Sequence, residues 1–178
     1  MALKRRYTED SLRALRVQTH LTFGKEFLRS GKYERALEAF DEVISLDPHE
    51  TRGRLGRSLA LTRLGRFDEA LAEAEVILGY QPHSPHAYNA EAVCYQTAGL
   101  YDKAEAAFEK AVAYGWANAS IHYNYACFWA ALNNPERCRE YLDLALALDP
   151  QLNVSAATDV DFETYRNEDW FLDLVAFQ

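Results

Sequence analysis

From Ser30 to Pro48 the chain reads SGKYERALEAFDEVISLDP, and from Leu64 to Pro82, thirty-four residues on, LGRFDEALAEAEVILGYQP. The same interval later, Ala98 to Trp116 reads AGLYDKAEAAFEKAVAYGW, and Leu132 to Pro150 reads LNNPERCREYLDLALALDP. A fixed period of this length constrains the fold more than any other feature of the chain. Each copy is one small unit of secondary structure whose apolar side is covered only when the next copy stacks on it.

The copies align on Gly31, Gly65, Gly99 and Asn133. That slot needs a left-handed backbone, which glycine adopts freely and Asn tolerates better than other side chains. Two residues on come Tyr33, Phe67, Tyr101 and Pro135, and proline suits the first turn of a helix. Then follow the small residues Ala36, Ala70, Ala104 and Cys138. Apolar or small residues recur at helical spacing on both sides of the glycine: His20, Phe23, Gly24 and Phe27 before it, Ala36, Phe40 and Val43 after it. Each period is therefore two helices joined by a Gly-centred turn, the second ended by Asp-Pro or Gln-Pro in three copies. The third copy ends on Gly115-Trp116 instead.

His20-x2-Phe23-Gly24-x2-Phe27, then Ala36-x3-Phe40 and Pro48, resembles the tetratricopeptide repeat, as does Tyr88-x2-Glu91-Ala92-x2-Tyr95 with Ala104-x3-Phe108. The resemblance implies an all-α fold, a right-handed α-solenoid of stacked antiparallel helix pairs. Its repeats are 17–50, 51–84, 85–118 and 119–152, with a lead segment at 1–16 and capping helices at 153–178. The second repeat departs from the pattern at Arg54 and Arg57, where a bulky apolar residue is usual. An ion pair between Arg57 and Glu91, at equivalent positions of adjacent repeats, would account for the charge.

The lead segment contains no helix breaker and extends the first helix backwards, with Thr8 as N-cap and Glu9 and Asp10 in the first turn. In the tail, Asp159, Asp161, Phe162, Arg166 and Phe171 resemble a closing segment found after the last repeat of many bacterial tetratricopeptide proteins, which implies a bacterial origin. The last helix pair has no neighbour, so Phe162, Trp170, Phe171 and Leu174 are expected to cover its apolar side.

Charge and motifs exclude several functions. The net charge of −8 argues against a nucleic-acid binder. No apolar run is long enough for membrane insertion. The start lacks an apolar signal region, and three cysteines without a CxxC pair fit a reducing compartment, so a cytoplasmic protein is expected. His83 and His86 have ligand spacing, but Pro85 stands between them at a repeat boundary. No nucleophile elbow, phosphate loop or catalytic carboxylate pair is visible. The expectation is a protein that is not an enzyme, with no catalytic residue, metal site or cofactor.

The total charge hides a division: residues 1–66 carry 14 Lys and Arg against 9 Asp and Glu, and residues 67–178 carry 5 against 18. In the tetratricopeptide family, positions 2, 5, 9 and 12 of the first helix of each repeat line the groove that holds peptides. Carried onto this chain, that face comprises Leu21, Lys25 and Leu28 with Arg29 beside them, Arg52, Leu55 and Leu59 with Arg63, then His86, Asn89, Val93 and Gln96, and finally Tyr123 and Cys127. Aliphatic residues rimmed by cations predict a partner that is another protein or peptide, acidic and with apolar anchors. The carboxylate clamp of co-chaperone domains is not expected, because Leu21, Lys25, Gly56, His86 and Ala90 occupy the matching positions. The implied function is an interaction adaptor or scaffold. The alternatives are a homo-oligomer assembled through its basic N-terminal half and acidic tail, and a chaperone-like assembly or secretion factor.

Overall fold

The structure, a computed structural model, describes residues 8–176. Eight long helices follow in pairs: α1 Glu9–Arg29 with α2 Tyr33–Leu46, α3 Thr51–Arg63 with α4 Phe67–Tyr80, α5 Pro85–Thr97 with α6 Tyr101–Tyr114, and α7 Ala119–Ala131 with α8 Pro135–Leu148. Two short helices, α9 Leu152–Thr158 and α10 Asp169–Val175, flank a 3-10 segment at Val160–Tyr165. No strand occurs among the described residues. The fold is all-α, built from tandem packed helix pairs of the solenoid class.

The turn inside each pair is built the same way four times. Gly31, Gly65, Gly99 and Asn133 all have positive φ, between 53° and 76°. That backbone lets the next amide reach five residues back: Lys32 to Phe27, Arg66 to Leu61, Leu100 to Tyr95 and Asn134 to Trp129, at 2.8 to 3.0 Å. These bonds satisfy carbonyls that the end of the first helix leaves free. Helix starts are capped by side chains: Thr8 accepts from Ser11 N, Ser84 from Ala87 N, Asn118 from Ile121 N and Asn134 from Arg137 N.

The chain forms two compact units, one ending at Pro82 and the other beginning at His83. In the first, α1 packs on α2 and α3, and α3 on α4. The Phe40 ring is trapped between α1 and α3, because Gly24 and Gly56 leave no side chain in its way. A Cβ at either glycine would overlap the ring. In the second unit, Phe108, Tyr125, Phe128 and Leu142 are buried together, with Phe108 and Tyr125 stacked at 4.9 Å. Ala36, Ala70, Ala104 and Cys138 are fully buried at the contact between paired helices.

Two expectations about the ends meet different outcomes. Phe162 and Phe171 are buried in the core of the second unit, with Trp170 and Leu174 packed against it, as a closing segment requires. Phe23, expected in the inner stripe, is 51 % exposed. The same slot in α3 holds Arg57, which reaches Asp41 on the preceding helix, and in α7 holds Tyr125, which stacks on Phe108 of the preceding helix. Among the described residues, α1 has no preceding helix.

Candidate functional site

Three helices of the first unit close around one open depression of about 560 Å³. α1 lends Lys25, Leu28 and Arg29, α2 begins there with Tyr33, and α3 lends Leu59 and Arg63. α1 and α3 lie side by side, so equivalent positions of their repeats meet. Five of the six lining residues belong to the expected groove face, and Tyr33 is the addition. It opens α2 just after the turn glycine, and only the packed pair brings it to the rim. Arg29 is paired with Glu26. Lys25 and Arg63 make no ion pair among the described residues.

Other members of the expected face lie elsewhere. Leu21 is 1 % exposed, sealed into the seam where α1 meets α2 and α3, and so does not line an open surface. Leu55 is half-buried. Arg52 forks onto Glu50, Nε to Oε1 at 2.9 Å and Nη2 to Oε2 at 2.7 Å, and also reaches Gln18. These bonds hold the Glu50 carboxyl below the usual carboxylate range. Arg52 thereby belongs to a separate, mixed-charge depression with Asp10, Arg13 and Asp47.

Arg54 and Arg57, which break the repeat pattern, converge on one acid. Arg54 donates to Glu73 at 2.8 Å, and Arg57 donates to Glu73 at 2.6 Å and to Asp41 at 2.7 Å. Glu73 is buried. Within the first unit, the charge of Arg57 is thus matched from α2 and α4.

In the second unit, His86 is exposed, and Asn89, Val93 and Gln96 are half-buried. Asn89 accepts a hydrogen bond from Asn124 at 3.1 Å, tying α5 to α7. Tyr123 and Cys127 are taken out of the expected groove by the tail. The Tyr123 hydroxyl donates to Asp159 at 2.8 Å, its ring meets Phe162 edge-on at 5.5 Å, and Cys127 is only 7 % exposed. Arg166 Nη2 donates to the Asp159 carbonyl and holds the segment in place. Sequence periodicity could not show this, because it locates the repeats but not the docking site of a segment outside them. Burial pushes the Tyr123 hydroxyl and the Cys127 thiol well above their ordinary pKa, helped by Asp159 at Tyr123 and by Asp161 and Asp159 at Cys127. Cys127, Asp159 and Asp161 bring possible ligand atoms within 4.8 Å of one another. Both Asp159 oxygens are engaged, by Tyr123 and by the Asp161 amide, and these bonds fasten the cap.

The tetratricopeptide repeat family model matches residues 21–85 and 89–153, well over half of the chain. The chain belongs to the tetratricopeptide repeat family. Among solved structures it is similar to a thermophilic tetratricopeptide protein of Thermus thermophilus, with a TM-score of 0.69, 20% identity, and 89% of this chain and 86% of that one covered. It is also similar to a tetratricopeptide repeat protein of Parabacteroides merdae, with a TM-score of 0.62, 16% identity and coverage of 89% and 69%. A third is the TPR2B domain of yeast Sti1, solved in complex with pHsp70, with a TM-score of 0.53, 23% identity and coverage of 77% and 98%. No curated protein matches the chain. Tetratricopeptide repeats are protein-interaction modules, typically without enzymatic activity, and the fold supports an adaptor role here. No helix among the described residues is long and apolar enough to cross a membrane.

Proposed function

We propose that this tetratricopeptide protein is an adaptor whose first unit receives an acidic polypeptide segment carrying an aliphatic anchor. One observation carries the reading: Lys25, Arg29 and Arg63 stand around a depression walled by Leu28, Leu59 and Tyr33. Two of the cations have no carboxylate partner among the described residues, so an acidic ligand neutralises charge already in place rather than displacing an internal partner. Leu28 and Leu59 give an apolar side chain somewhere to leave water. The complex of the Sti1 domain with pHsp70 supports the general role.

A fluorescent peptide alternating Asp or Glu with Leu serves as the probe, read by anisotropy. Lys25→Glu/Arg63→Glu is expected to weaken binding by about 10-fold or more and to flatten its salt dependence. Arg52→Glu, at a cation already held by Glu50, is expected to change affinity by less than about 3-fold. Equal effects of the two variants would remove the depression from the account.

A further inference from the structure

α1 is apolar on two sides. Val17, Leu21 and Gly24 are buried against the rest of the first unit. Away from them, Leu12, Leu15, Thr19 and Phe23 fall within an arc of about 80° at the helical advance per residue. Leu12, Leu15 and Phe23 are 47 %, 60 % and 51 % exposed. Thr19 turns its hydroxyl back onto the Leu15 carbonyl at 2.8 Å and so offers the face no outward polar group. A solvated helix face is ordinarily polar, and a contiguous apolar stripe rimmed by charge marks a contact surface. The slot of Phe23 is the one through which α3 and α7 touch the helix before them.

Charge selects the occupant. Residues 1–29 carry seven Lys and Arg against three Asp and Glu, whereas residues 153–178 carry six acids and the single Arg166. The cap also exposes apolar groups: Val154 at 55 %, Val160 at 75 % and Leu172 at 50 %. α1 itself carries four of the seven cations against the three acids, so the excess belongs to the N-terminal segment as a whole. Two such segments repel each other, as do two acidic caps, and only the unlike pair combines attraction with apolar burial. We propose that the α1 face of one copy binds the C-terminal cap of a second copy, head to tail. Among the described residues α1 has no helix before it, and the cap fills that position. The two surfaces differ, so each copy added presents a fresh one, and the contact builds rings or filaments. This inference uses residues outside the depression and does not rest on its being a peptide site.

The test is the mass of the full chain in solution, by light scattering and sedimentation. Wild type is expected to grow with protein concentration and to return to monomer as salt rises from about 50 mM to about 500 mM. Leu15→Glu/Phe23→Glu blocks the head, and Val160→Lys/Leu172→Lys blocks the tail. Each variant alone is expected to be monomeric, and an equimolar mixture is expected to double in mass and stop there. Wild type that stays monomeric at every concentration overturns the proposal, as does a tail-blocked variant that dimerises by itself, which would reveal an α1–α1 contact. A mixture that fails to dimerise overturns it too. Circular dichroism melts verify folding, and Leu15→Ser/Phe23→Ser substitutes for the head variant if the glutamates unfold it.

Discussion

At the seventh position of the first helix of a repeat, the first unit places Arg57 and the second places Tyr125. Around Arg57 the contact is ionic and sparing of side chains: Arg54 and Arg57 grip Glu73, and one ring, Phe40, fills the room left by Gly24 and Gly56. Around Tyr125 the contact is aromatic throughout, with Phe108, Phe128, Trp129 and Tyr141 all within 6 Å of its ring. The helix spans and the Gly or Asn turns hardly differ between the two. The repeat thus requires helix lengths, turn geometry and a line of small residues, and leaves the chemistry of the filling open. The freedom has a consequence at the ends. The aromatic unit is closed by its own tail, which covers Tyr123 and Cys127, while the ionic unit keeps an open cationic depression and a bare α1 face.

The largest effect that could break this contrast lies in the cap. Phe162→Ala removes a fully buried ring packed against Tyr123 and Phe171. It is expected to cost about 3 to 5 kcal/mol in denaturant unfolding. Alkylation of Cys127, followed by mass spectrometry at constant pH, is expected to accelerate, because the tail shields that thiol. An unchanged labelling rate would show that the tail is not the cover.

Next comes the ionic unit. Glu73→Ala leaves Arg54 and the Nη1 group of Arg57 facing a partly buried space without their shared acid. The expected loss is about 3 kcal/mol, with the side chains' residual exposure tempering it. Glu73→Gln should recover part of it by keeping an acceptor. If Glu73→Leu is as stable as wild type, the network specifies register and adds little stability.

The smallest effect is the sharpest on packing. Gly56→Ala should stabilise an isolated helix, yet here its Cβ meets a ring already pinned by Gly24. A net loss of about 1 to 2 kcal/mol is expected, and Phe40→Leu in the same chain should relieve the clash. Additive losses in the double variant would mean that the ring does not press on both glycines.

Much of the architecture can be read from residues taken alone. Asn133 is interpretable as a glycine surrogate because few side chains bear a left-handed backbone, and its φ is 53°. Thr8 is interpretable as a cap because of the acids after it, and it accepts from Ser11 N. The candidate site is legible in part. Lys25, Leu28, Arg29, Leu59 and Arg63 do meet, since their spacing repeats with the helices that carry them. Leu21 shares that spacing but lies at the seam, and a difference of a few tens of degrees around a helix separates a wall from a core position. Glu73 is illegible as a buried acid, because its partners lie 16 and 19 residues away on another helix.

Periodicity, the turn residues and the small-residue slots by themselves determined that this chain would be a succession of helix pairs, because local backbone preference and the need to cover an apolar stripe act within one period. Tertiary structure alone decided which stripes stay open. The descent of the tail onto Tyr123 and Cys127, the capture of Arg52 by Glu50 and the exposure of Phe23 each depend on whether a second surface arrives to exclude water. Exclusion of water belongs to a pair of surfaces, and a repeat motif describes only one of them.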